Sequence, residues 1–104
     1  MATESGPLLQ SALGQRVQFI ARVSHFSTKR HWSGLTQATI VLENIRFAAN
    51  GAKVLDTQTF NRGVWDVDLY PGYEIVFEGR WDTVDKRNGT IRELILRPSH
   101  VRIL

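Results

Sequence analysis

The stretch PGYEIVFEGRW, residues 71–81, decides the fold class. A Pro-Gly pair is a turn signal, and the residues that follow it alternate between apolar and charged side chains. Tyr73, Ile75 and Phe77 share one face, and the two glutamates lie on the other. This period of two predicts a half-buried β-strand over Tyr73–Trp81, in which Phe77 and Trp81 belong to the core.

The same reasoning predicts four further strands. Asn50-Gly51 and Asn88-Gly89 are strong hairpin signals that separate them. The predicted strands are Arg16–Phe26, Thr36–Phe47, Lys53–Phe60 and Ile91–Arg97, followed by a final piece at residues 101–104. Because proline cannot donate to a β-ladder, Pro98 predicts that the last strand bends or lies at an edge.

Only one helix is predicted, over Ser5–Leu13, where Pro7 suits a first helical position and Gly14 suits a C-terminal cap. The chain therefore divides into an N-terminal arm, residues 1–13, and one domain, residues 14–104. Five strands with so little helix to cover them favour closure into a small barrel. We expect a five-stranded Greek-key barrel, the OB-fold. An SH3-like barrel or a small sandwich is the alternative.

Composition excludes several classes of protein. The 104 residues and 11.8 kDa give room for one domain, and the absence of cysteine excludes disulfide scaffolds, thiol catalysis and thiolate metal sites. No apolar run could span a membrane, and the N-terminus does not resemble a signal peptide, so a cytoplasmic protein is expected. The net charge is +3, with a pI of about 9.8.

Several stretches resemble small bacterial OB-fold proteins of the single-stranded-DNA-binding and primosomal kind. GQRVQFIARV at 14–23 is similar to their first strand, LYPGYEIVFEGRW at 69–81 to their fourth, and LILRPSHVRI at 94–103 to their last. TIVLENIRF at 39–47 is similar to short OB-like proteins of bacteria and phages. Two features depart from that pattern. Proteins of this kind have a helix between the third and fourth strands, whereas residues 61–70 show no apolar residues at helical spacing, and the acidic, glycine-rich tail of single-strand-binding proteins is missing.

The resemblance implies a non-enzymatic protein that binds single-stranded nucleic acid with little sequence preference. We expect the ligand to be DNA, with RNA as the alternative, and we expect no cofactor or metal. OB-folds bind oligonucleotides on strands 2 and 3 and on the loops joining strands 1–2 and 4–5. Here these loops are residues 27–34 and 84–90, which supply cations for phosphates and a ring for stacking. The candidate residues are Lys29, Arg30, His31, Trp32, Lys86 and Arg87, with Arg46, Phe60, Arg62, Trp65 and Phe26 as further candidates.

Other interpretations stay open. Adjacent cations in a loop are often solvated surface, and Phe60 or Trp65 could equally belong to the core. A metal site built from His25, His31, Asp66 and Asp68 is conceivable, but no known ligand spacing or nucleophile motif occurs.

The main rival is a protein-interaction module or a homodimer. Residues 66–85 contain six carboxylates and one arginine, whereas residues 86–104 contain five cations and one glutamate. Strict alternation along the second strand also places Val41, Ile45 and Phe47 on an exposed face, which would suit a partner.

Overall fold

The computed structural model describes residues 14–30, 32–85 and 91–104. Their strands are β1 (Gln15–Arg30), β2 (Thr36–Phe47), β3 (Lys53–Asn61), β4 (Glu74–Asp85) and β5 (Ile91–Ile103), and a 3-10 turn at Arg62–Val64 follows β3. All five form one antiparallel sheet in the order β3-β2-β1-β4-β5. The predicted all-β class is confirmed, but the sheet is not closed into a barrel. The predicted helix lies outside the described residues.

β1 is the central strand and is longer than predicted. Its first half, Gln15–Arg22, pairs with β4, and the part from Phe19 onward pairs with β2. The pairing with β2 continues until Arg30 lies opposite Thr36. The prediction of a loop over residues 27–34 was therefore wrong at its start, because cross-strand pairing extends the strand through the polar residues 27–30.

A β-bulge in β2 overturns the expected apolar surface. Asn44 adopts a left-handed conformation (φ 51°). At this point the three residue steps from Glu43 to Arg46 in β2 lie opposite only two residue steps, Ile20 to Arg22, in β1. One extra residue reverses which face the following side chains occupy. Ile45 and Phe47 therefore join the core, with 0% and 3% exposure, and Val41 is half-buried. The prediction that these three form an exposed partner face was wrong.

Two further irregularities shape β5. Arg97 and His100 both have positive φ, at 51° and 52°, and the register with β4 shifts at each of them. Pro98 lies between them, on a strand at the edge of the sheet. The prediction that this strand bends or lies at an edge is confirmed by its edge position, and β5 continues without interruption to Ile103.

The core is organised around an aromatic cluster in which Phe77 is central. Its ring lies 5.6 Å from that of Phe19, 5.4 Å from Trp65 and 6.2 Å from Phe60, measured between centroids. Phe77 and Trp81 are fully buried, as predicted. No helix among the described residues is long and apolar enough to cross a membrane.

One side chain joins the two outer strands of the sheet. Gln58 on β3 donates from Nε2 to the carbonyl oxygen of Ile95 on β5 at 2.8 Å, and its Oε1 accepts from the Ile95 N–H at 2.9 Å. The amide thus imitates a backbone ladder where no β3–β5 ladder exists among the described strands. The sheet curls far enough to bring its two edges together at this point.

Candidate functional site

Two grooves lie on either side of the outer part of β2. Thr39 lines the first, and its neighbours Ala38 and Ile40 line the second. This division follows from the strand itself, because successive side chains point to opposite faces. The grooves meet at the end of β3, where Asn61 lines the first and the next residue, Arg62, lines the second.

The first, which we call the hydroxyl groove, has a volume of about 500 Å³. It is built from β1, β2, β3 and one residue of β5. Its lining residues are Ser27, Thr28, Lys29, Thr39, Gln58, Thr59, Phe60, Asn61 and Leu94. These include four hydroxyls, two amides and one cation, with no carboxylate among them. Hydroxyl, amide and lysine groups are those that commonly contact phosphate and sugar oxygens.

Thr39 has an unusual position in this groove. Its side chain is 2% exposed, and its Oγ1 has no hydrogen-bond partner among the described residues. On the neighbouring strands it lies opposite Ser27 and Asn61. A buried hydroxyl without a partner costs about 1–3 kcal/mol, so such groups are uncommon in folded proteins. A ligand atom that reached the base of the groove would provide the missing hydrogen bond.

The β1–β2 hairpin carries cations that, like several others in the sheet, have no carboxylate partner among the described residues. Lys29 and Arg30 are exposed, and within the described ranges neither forms an ion pair with a carboxylate. By contrast, Lys53 pairs with Asp56, and Arg80 pairs with Asp82 at 2.8 Å. Among the described residues, no carboxylate pairs with these two cations, so their positive charge is available to an anionic ligand.

Trp32 follows these cations at the tip of the hairpin. Its side chain is 91% exposed. An indole in this position offers a ring face on which a base can stack. Leu35, 72% exposed, adds a second apolar side chain to the same tip.

Phe60 and Trp65, predicted as further stacking residues, are placed in the core. They are 7% and 9% exposed, and their rings pack edge-to-face at 5.4 Å. In this arrangement neither ring has an open face for a base. Arg46 is also occupied, since it lies 3.7 Å from a carboxylate oxygen of Glu74 and donates to the carbonyl of Asn44 at 3.1 Å. Arg46 therefore stabilises the backbone at the bulge in β2.

The second groove, which we call the aromatic pocket, has a volume of about 330 Å³. Arg62, also predicted as a binding residue, lies at this pocket, and its guanidinium carbon is 3.9 Å from the centre of the Phe26 ring. The remaining lining residues are Ala38, Ile40, Gly63, Trp65, Val67, Asp68, Leu69 and Tyr70. The structure therefore separates Arg62 from Lys29 instead of placing both in one groove.

Three predicted residues, His31, Lys86 and Arg87, lie outside the described part of the chain. They stay predictions. Within the described part, no group of three or more His, Asp or Glu residues could hold a metal ion.

Sequence reasoning missed the most informative residues of the hydroxyl groove. Threonine is common in β-strands, so Thr39 and Thr59 do not stand out in the sequence, and Asn61 is the last residue of a strand. One signal pointed to Thr39, because it is the polar residue next to the apolar run at 40–42, but alternation alone cannot show that its hydroxyl lacks a partner.

The chain matches no family model, no curated protein and no solved structure.

Proposed function

We propose that this protein binds single-stranded nucleic acid through the hydroxyl groove without catalysing a reaction. The proposed ligand is DNA, with RNA as the alternative. The observation that carries the proposal concerns one groove, in which, among the residues that the structure describes, the cation Lys29 has no ion pair, the buried hydroxyl of Thr39 has no partner, and no carboxylate lines the wall. An anionic ligand rich in oxygen acceptors satisfies both groups. Because such contacts address the backbone of the nucleic acid, little sequence preference is expected from them.

The position of the hairpin supports the same proposal. Lys29 lines the groove, and Arg30 and Trp32 follow it in the chain. Single-strand binding sites combine cations that follow the phosphates with exposed rings on which bases stack. The hairpin supplies both within four residues.

We further propose that the sheet is a partly open barrel of the OB type. The strand order leaves β3 and β5 as the two outer strands, and the Gln58–Ile95 pair joins them. An OB-fold is a five-stranded, partly open barrel whose second and third strands bear the ligand, and the hydroxyl groove lies on β1, β2 and β3.

A role in binding other proteins is the second candidate, favoured by exposed apolar side chains on the chain that joins β3 to β4. Val64 and Val67 are 45% and 40% exposed, and Tyr70 is 50% exposed. These residues lie outside the hydroxyl groove.

Nuclear magnetic resonance with ¹⁵N-labelled protein and oligo-dT separates these candidates. Binding in the hydroxyl groove should shift the amide signals of Lys29, Thr39 and Asn61 most strongly. Thr57, which is exposed on β3 and does not line the groove, is the internal control. Shifts confined to residues 64–73, or no shifts at low salt, would contradict the proposal.

A further inference from the structure

The aromatic pocket combines polar groups with aromatic and aliphatic side chains. Arg62 and Asp68 both line it, yet they form no ion pair with each other. The side chain of Trp65 is about nine-tenths buried at the same pocket, and its indole N–H has no acceptor among the described residues. Pockets of this size that combine apolar and aromatic side chains with a few placed polar groups are typical sites for small ligands.

The packing of Arg62 leaves its hydrogen-bonding edge available. The guanidinium lies over the face of Phe26, with 3.9 Å between the guanidinium carbon and the ring centre. A cation over a ring face is attracted by the ring without an acceptor atom. Among the described residues, no ion pair occupies the Arg62 guanidinium, so its N–H donors are available to a ligand.

Tyr70 supplies an exposed aromatic surface next to this group. It is 50% exposed and packs edge-to-face against Phe26 at 6.3 Å and against Tyr73 at 5.7 Å. These contacts hold the ring in place. A flat ligand entering the pocket would meet a supported ring, a cation, a carboxylate and an indole donor.

We propose that the aromatic pocket receives one base of the bound strand, a cytosine or a guanine. Both bases carry an amino donor and a carbonyl acceptor on their pairing edge, on either side of a ring nitrogen. Asp68 accepts from the amino group, as carboxylates do with cytosine, and Arg62 donates to the carbonyl, as arginine does with guanine. Thymine has no amino group, and its one pairing-edge donor, N3–H, lies between two carbonyls whose oxygens would lie against the Asp68 carboxylate.

This inference rests on the proposed function, because the base belongs to a strand held in the hydroxyl groove. The two sites are continuous in the chain, since Asn61 lines the groove and Arg62 lines the pocket. A strand that passes around the end of β3, from one side of β2 to the other, would reach Arg62. The hydroxyl groove would hold the backbone, and the pocket would add a preference at one position.

The test compares oligo-dC with oligo-dT of equal length by fluorescence anisotropy, with the wild type and two variants. Asp68→Asn removes the carboxylate from the pocket. Asp66→Asn is the matched control, since Asp66 is exposed nearby and does not line the pocket. We expect the wild type to bind oligo-dC at least about fivefold more tightly, the Asp66 variant to keep that ratio, and the Asp68 variant to lower it below about twofold.

A second readout is the indole N–H resonance of Trp65, which should move with oligo-dC in the wild type and less in the Asp68 variant. If both oligonucleotides bind equally to the wild type, or if the two variants behave alike, the inference is overturned while the proposed function stands. If neither oligonucleotide binds at low salt, the proposed function fails and the inference fails with it.

Discussion

The side-chain amide of Gln58 forms two hydrogen bonds with the backbone N–H and C=O of Ile95, at 2.9 and 2.8 Å. Gln58 is 9% exposed, and Ile95 is 1% exposed. A buried polar side chain is tolerated when its hydrogen-bonding groups are satisfied, and here both the amide and the strand edge gain partners. This pair links the outer strands of the sheet, so it stabilises the curvature on which the hydroxyl groove depends.

Replacing Gln58 with methionine should lower the free energy of unfolding by about 2–4 kcal/mol. Methionine has a similar length, but it leaves the N–H and C=O of Ile95 buried without partners. Urea denaturation followed by tryptophan fluorescence measures the change. Thr57→Met, at an exposed position on the same strand, is the control and should change stability by less than about 0.5 kcal/mol. Equal stability of the two variants would mean that the pair does not hold the edges together.

Gly79→Ala should destabilise the fold by about 1–3 kcal/mol. A Cβ at this position would collide with Cγ2 of Ile95 and would also lie 3.6 Å from the ring of Phe19. Added atoms in a tightly packed core force neighbouring groups to move. Thermal unfolding of Gly79→Ala, Ile95→Ala and the double variant measures the coupling. The double variant should lose less stability than the sum of the losses in the two single variants, because Ile95→Ala removes the methyl group with which the new Cβ collides. Losses that add exactly would exclude this collision.

Much of the fold could be predicted from the sequence, because alternation reports burial directly. Phe77 and Trp81 follow a simple period of two, and both are fully buried. The prediction failed for Ile45 and Phe47, where the bulge at Asn44 inserts one residue and exchanges the faces. Asparagine tolerates a positive φ, but nothing in the local pattern shows that this one adopts it.

The candidate site was less predictable, because it depends on which strands meet. Lys29 and Arg30 were recognised by charge, but they lie on a strand and not in a loop. An aromatic residue in the sequence can belong either to the core or to a binding surface, so the sequence does not distinguish the two roles for Phe60 and Trp65. Their ring contacts with Phe77 place them in the core. The contribution of Thr39 required knowledge of its hydrogen bonds.

Thr39→Val should separate stability from binding. Valine has nearly the same shape and removes a buried hydroxyl that has no partner in the described structure, so the free energy of unfolding should stay level or rise by about 1 kcal/mol. The affinity for oligo-dT should fall about two- to tenfold, since one hydrogen bond to the ligand is lost. Urea denaturation and anisotropy measure the two effects. Thr57→Val should leave the affinity unchanged. Loss of stability without loss of affinity would remove Thr39 from the site.

Trp32→Ala should weaken binding of oligo-dT by about 1–3 kcal/mol without unfolding the protein. The side chain is 91% exposed, so its packing contributes little to stability. Leu35→Ala, at the same tip, is the matched control, because it removes exposed apolar surface but no aromatic ring. Anisotropy titrations and circular dichroism provide the readouts. Equal effects of the two substitutions would indicate a general apolar contact at the tip.

The most direct test of strand binding is the salt dependence of affinity for labelled oligo-dT, measured by anisotropy for the wild type and for Lys29→Ala/Arg30→Ala. Wild-type affinity should fall steeply with salt. The slope of log affinity against log salt should be less steep by about 1.4 in the double variant, since each lost phosphate contact contributes about 0.7 for a single strand. Lys53→Ala, which removes a cation paired with Asp56, should keep the wild-type slope. No binding at low salt, or the same slope in all three proteins, would contradict a nucleic-acid site at this groove.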